Sequence, residues 1–115
     1  YEYSLKARFH FNKWNPEDMH TAISLYDKAL ELDDKHVESY LGLADCYGFL
    51  ATTSFMDHAE AWQKADQLTH KAHQLNDRHP GVYYQLANLA FFTAVNYKEA
   101  LRLTITGDTL LQGLL

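Results

Sequence analysis

Residues 22–47 read AISLYDKALELDDKHVESYLGLADCY, and this stretch decides the fold. Its first half carries Ala22, Tyr26 and Ala29; its second carries Tyr40, Leu43, Ala44 and Tyr47. Apolar residues three and four apart share one face of a helix. Between the halves stands the polar run Asp33-Asp34-Lys35, where neither pattern continues. Two amphipathic helices joined by so short a break predict a helical hairpin.

Both marks recur. Ala22-x3-Tyr26-x2-Ala29 returns 43 residues on as Ala65-x3-Thr69-x2-Ala72, then 35 residues further as Ala100-x3-Thr104-x2-Gly107. Tyr40-x2-Leu43-Ala44-x2-Tyr47 returns at the same 43-residue offset as Tyr83-x2-Leu86-Ala87-x2-Ala90. Two independent marks sharing one offset indicate a tandem repeat. Small residues at Ala7, Ala44 and Ala87, and at Ala22, Ala65 and Ala100, let paired helices approach closely. Tyr40, Leu43, Tyr47 and Leu86 fill the space between them. Each hairpin leaves an apolar face that the next can cover, so the units stack.

The helix limits follow from punctuation. A first helix runs over about 2–13. Asn15-Pro16-Glu17-Asp18 starts the second, with Asn as cap, Pro in the first turn and the acids on the positive end of the dipole. It reaches about Leu32. The third covers about 37–50, and Ala51-Thr52-Thr53-Ser54 breaks it. The fourth covers about 57–75, and Pro80 opens a fifth that ends near Thr93. A sixth runs from Asn96 or Tyr97 to about Ile105, followed by an apolar tail, residues 107–115. One domain of three hairpins results, about 2–33, 37–76 and 80–106, and we read the chain as a fragment of a longer protein.

Composition agrees. The chain has 115 residues, enough for one modest core. An apolar fraction of 47% belongs to a folded chain, and Ala and Leu far outnumber Val and Ile, which disfavours a sheet. The formal charge of −5 comes with no Lys/Arg cluster to neutralise phosphates, so nucleic acid is not an expected partner. No apolar run is long enough for a membrane span. The single cysteine, Cys46, precludes an internal disulfide and fits a reducing, cytoplasmic setting.

The repeats resemble the tetratricopeptide family, whose pattern is W-x2-L-G-x2-Y, then A-x3-F, a further Ala and a turn Pro, on a 34-residue period. Tyr40 takes the Trp place and Ala44 the Gly place; Asp34 and Asp77 stand where the turn proline is usual. The resemblance covers essentially the whole chain, although the middle repeat carries about nine extra residues between Tyr47 and Ala65. It implies an all-α fold of antiparallel helix hairpins stacked as a short right-handed solenoid of three repeats. It also implies that the first helix of each hairpin lines a concave recognition face. The opening Tyr-x-x-Leu-Lys-Ala-Arg-Phe-x-Phe-Asn-Lys-x-x-Pro-Glu is similar to tetratricopeptide regions of bacterial signalling proteins and transcriptional regulators.

On that register the concave side chains are Ser4, Arg8, Phe11 and Asn12, then Leu41, Asp45 and Phe49, then Tyr84, Asn88, Phe91 and Phe92. The family's chaperone-binding members grip a C-terminal carboxylate with Lys and Asn; the matching places here hold Ser4, Arg8, Gly42, Gly81 and Gln85, with Arg8 as the one cation. Trp14 and Trp62 are expected to pack, with a partner-facing role open to either. Asp66, His70 and His73 share a helix face, but no further ligand is dictated, so no metal or other cofactor is expected and solvated histidines are. Cys46 stands among core positions with no cation spaced to activate it. No phosphate loop or nucleophile elbow is present, so no catalytic residue is expected. The expected function is a scaffold for a protein or peptide partner. The rival readings are a spacer packing on its own chain or on a second copy, with dimerisation through the apolar C-terminal end, and a small-molecule sensor in the same groove.

Overall fold

The computed structural model of the chain describes residues 2–93 and 96–114, so Tyr1 and Leu115 lie outside the described residues. Within them are six helices and no strand: α1 (Glu2–Phe11), α2 (Pro16–Leu32), α3 (Val37–Thr52), α4 (His58–Leu75), α5 (Pro80–Thr93) and α6 (Tyr97–Leu114).

The caps are those the residues dictate. Asn15 accepts from the Asp18 amide at 2.9 Å, with Pro16 in the first turn of α2. Asp57 accepts from the Glu60 amide at 3.0 Å to start α4. Around Asn15 a second link forms, His10 Nδ1 to Asp18 Oδ1 at 2.7 Å, which ties α1 to α2. This bond, with help from Asn15, holds the Asp18 carboxyl below its ordinary range.

The two turns after α2 and α4 are duplicates, as their 43-residue offset requires. The Asp33 amide donates to Ala29 O and the Asn76 amide to Ala72 O. Tyr40 Oη donates to Asp34 O at 2.7 Å and Tyr83 Oη to Asp77 O at 2.6 Å. A tyrosine from the following helix therefore closes each turn on the backbone of the aspartate.

Some helix limits differ from the sequence reading. α1 stops at Phe11, two residues early, because Trp14 takes a left-handed backbone (φ 56°) to bring Asn15 into its cap. α3 continues to Thr52, where the Thr52 and Thr53 hydroxyls bond the carbonyls of Gly48 and Phe49; Ser54, at φ 63°, makes the actual break. The largest correction is the tail. Residues 107–114 are not a separate segment but the second half of α6. Gly107, the third counterpart of Ala29 and Ala72, is a place of close approach inside that helix, where a Cβ would stand 3.0 Å from the Tyr84 ring and 3.2 Å from the Pro80 carbonyl.

Packing is pairwise: α1 on α2, α3 on α4 and α5 on α6. The five residues between α3 and α4 reach at most about 17 Å, while each helix is about 24–27 Å long, so the chain must double back. Between pairs, α2 packs on α3, α4 on α5, α1 on α3 and α3 on α5, whereas among the described residues the backbones of α2, α4 and α6 do not approach one another. Two layers result, α1–α3–α5 and α2–α4–α6, the first the more closely spaced.

The junctions between pairs repeat as well. Met19 of α2, fully buried, packs with Cys46 and Leu50 of α3. Trp62 of α4, 43 residues on and 5% exposed, packs with Leu89 and stacks on Phe92 of α5. Tyr97 occupies the same place in α6, 35 residues further, and is 61% exposed. The position that the next pair covers twice is open the third time.

Candidate functional site: the groove over α1, α3 and α5

The three helices of the inner layer share one open surface, and it holds two adjoining depressions. The first, about 240 Å³, is walled by Phe11, Trp14, Phe49 and Phe92, with Trp62 and Gly48 beneath. The second, about 300 Å³, is bounded by Arg8, Glu38, Leu41, His79 and Tyr84. Asp45 and Gln85 line both, so the two form one groove with a polar middle.

Helical spacing sets this arrangement. Asp45 and Phe49 are one turn apart on α3, and Tyr84, Asn88 and Phe92 repeat that interval on α5. The aromatic half is a run of ring contacts: Phe11 to Trp14 at 5.7 Å, Trp14 edge-on to Phe49 at 5.6 Å, and Phe49 stacked on Phe55 at 6.4 Å. Phe92 lies flat on Trp62, with centroids 5.2 Å apart. Trp14 is 64% exposed even so. Its left-handed backbone costs a non-glycine residue about 1–2 kcal/mol, so a partly strained residue presents the largest open ring of the groove.

The polar middle is an ion pair and a hydrogen bond. Arg8 Nη1 stands 3.6 Å from Asp45 Oδ2, and the Gln85 amide donates to Asp45 Oδ1. The Arg8 guanidinium carbon also lies 5.1 Å from the centroid of Phe11, a cation–π geometry. Burial raises the Asp45 carboxyl above its usual range, and the opposing effects of Gln85 and Arg8 are smaller. Beyond it, Glu38 takes two imidazoles, His36 Nε2 at 3.6 Å and His79 Nε2 at 3.4 Å.

No family model, curated protein or solved structure matches the chain.

Of the residues named from the repeat, Arg8, Phe11, Asp45, Phe49, Tyr84, Asn88 and Phe92 line the groove. Asn12 and Phe91 do not line either depression. Asn12 lies exposed in the connection after α1. Phe91 packs edge-on against Phe92 and Tyr97, toward the start of α6. Ser4 is buried beside Tyr26, Leu41 is buried under the second depression, and Tyr84 donates through its hydroxyl to Asp108 of α6. Gly42 faces away, into α2 against the Tyr26 ring. Glu38 and His79 complete the groove without having been singled out for it, and Trp14, for which packing was expected and a partner-facing role stood open, joins them. Trp14 and His79 lie in connections, where the helical period carries no information.

The remaining candidates have ordinary surroundings. His70 bonds its own Asp66 at 3.1 Å in solvent, and His73 stands edge-on to Tyr83; among the described residues no three metal-ligating side chains gather. Cys46 is fully buried, and burial pushes its thiol up to about 12, the opposite of activation. No helix among the described residues is long and apolar enough to cross a membrane.

Proposed function

We propose that this chain is a three-repeat tetratricopeptide module, a short right-handed solenoid without catalytic function. It holds an extended segment of a protein partner across α1, α3 and α5. One observation carries the reading: four aromatic rings from three consecutive repeats, one of them the exposed and conformationally strained Trp14, wall a single depression beside Asp45. Aromatic anchors in such a depression supply binding energy out of proportion to their number. The duplicated turns and junctions support the repeat assignment. The similarity of the opening stretch to bacterial signalling modules favours a host of that kind, in the cytoplasm, where a lone thiol is at home.

Selection of random twelve-residue peptides on the protein tests the reading. Selected peptides should lose tenfold or more of their affinity to Trp14→Ala or Phe49→Ala, while the circular dichroism melt of Trp14→Ala stays within a few degrees of the parent. Peptides indifferent to both substitutions would remove the groove from consideration.

A second reading, association with another copy, is favoured by the open junction on α6. Tyr97, Leu101, Ile105 and Leu114 are exposed there, by 55–70%. On α1, Leu5 and Phe9 are 55% and 61% exposed, and they stand at the register of Gly42 and Cys46, which α3 seats on α2. A second copy's α1 fits α6 by the contact already made twice inside the chain, a head-to-tail arrangement. Sedimentation velocity should show concentration-dependent association that Phe9→Asp and Leu101→Asp each abolish. A single monomeric species at every concentration would end this second reading and leave the groove untouched.

A further inference from the structure

We propose that the groove selects a basic segment: a Lys or Arg side chain set against Asp45 and Glu38, next to an apolar or aromatic anchor in the ring-walled depression. This rests on the groove being the binding face.

The first ground is what the groove already contains. Arg8 places its guanidinium between the Phe11 ring, at 5.1 Å, and the Asp45 carboxylate, at 3.6 Å. A planar cation resting on an aromatic face with a carboxylate at its edge is the arrangement such a site offers any guanidinium or ammonium. Arg8 holds it loosely. Its side chain is 46% exposed and its ion-pair distance is long, so an incoming cation can take its place at small cost.

The second ground is charge. The second depression carries two carboxylates, Glu38 and Asp45, against one permanent cation, Arg8. Asp108 extends the acidic side at the rim, through the Tyr84 hydroxyl. The Glu38 side chain is 63% exposed, and its neighbours are the imidazoles of His36 and His79. A groove with surplus carboxylate steers and holds cations and opposes anionic peptides. The burial that raises the Asp45 carboxyl also shows that Arg8 and Gln85 leave its charge incompletely compensated.

The third ground is adjacency. Asp45 and Gln85 belong to both depressions, so a cationic side chain and an apolar one a few residues apart in an extended strand would reach the two halves together. An acidic C-terminal peptide meets the reverse conditions, one loosely held Arg8 and two carboxylates.

Three synthetic peptides of equal length test this: one with Arg and Phe separated by one residue, one with Glu in place of Arg, and one with Gly in place of Phe. Fluorescence of the exposed Trp14, checked by calorimetry, reports binding. The Arg–Phe peptide should bind at least tenfold tighter than the other two, and its affinity should fall steeply with added salt. Asp45→Asn should weaken it about tenfold. Arg8→Ala should tighten it, since the competing internal cation is gone; a purely structural role for Arg8 would give no such gain. Thermal melts of both variants keep these outcomes readable if folding suffers. Preference for the Glu–Phe peptide, lost in Arg8→Ala, would overturn the charge assignment and leave the groove reading standing. Failure of the Arg–Phe peptide to bind would also overturn it. Binding insensitive to Asp45→Asn and to Trp14→Ala alike would place the ligand elsewhere and sink both.

Discussion

Replacing Trp62 by Ala is expected to cost about 3–5 kcal/mol of folding stability, the range for truncating a large buried aromatic. Trp62 is 5% exposed, stacks on Phe92 and is framed by Ala44, Ala51, Ala61 and Ala65. Methyl-sized neighbours cannot collapse into the space an indole leaves, so the cavity term stays near its maximum. Trp62→Phe should behave differently. The indole Nε1 is buried with no hydrogen-bond partner among the described residues, a condition that costs about 1–3 kcal/mol in general. Phenylalanine removes that atom along with part of the volume, and the two effects oppose, leaving a net loss under about 1.5 kcal/mol. Urea denaturation followed by circular dichroism measures both. Equal losses for the two variants would show that the indole nitrogen is not a liability.

Two glycines six residues apart on α3 should respond to the same substitution with opposite signs. A Cβ at Gly42 would lie 2.2 Å from Cζ of Tyr26, a residue 2% exposed. Overpacking of this kind costs about 1–3 kcal/mol, against a helix-propensity gain of at most about 1 kcal/mol, so Gly42→Ala should lose about 1–2 kcal/mol net. At Gly48 the nearest atoms to a Cβ are on the Trp62 ring at 3.6 Å, an ordinary contact. Gly48→Ala should therefore gain up to about 1 kcal/mol. Stabilisation at both positions, in parallel melts, would contradict the close approach of α2 and α3 at Gly42.

Most of the helical pattern was legible because its signals are local. Asn15-Pro16 and Asp57 act through bonds to amides three residues away, and the 43-residue offset survives down to individual turn hydrogen bonds. The second half of α6 was taken for a tail because the repeat mark ends at Gly107, and only the position of Tyr84 shows that this glycine is a close approach inside the helix. In the groove, Arg8, Asp45, Phe49 and Phe92 came from the repeat register together with the family resemblance, which implied that the first helix of each hairpin forms the recognition face. Phe91 did not belong with them: neighbouring helical residues point about 100° apart, so of two adjacent phenylalanines one meets Trp62 and the other Tyr97. Trp14 was hidden more deeply. Its left-handed backbone and its contact with Phe49 belong to the tertiary structure, and a tryptophan in a connection carries no periodic mark.

The core is not shared evenly along the stack, and this gives the protein a hierarchy of opening. The cluster around Met19, Tyr26, Leu43 and Leu50 joins α1, α2 and α3, while among the described residues the cluster between α5 and α6 has just Ala87, Ala100 and Leu103 as buried members. In a one-dimensional array each unit's persistence depends on its neighbours, so the terminal pair, whose α6 packs on α5 alone among the described residues, forms the least protected unit. Amide hydrogens of α6 should exchange well before those of α2 and α3. Phe92, Asn88 and Gln85, which complete the groove, are carried by that same last pair. A ligand spanning all three repeats would therefore draw on a population in which α5 and α6 are closed, and would slow exchange farthest where it touches least, along α6. Recognition and the completion of folding at that end would be a single equilibrium.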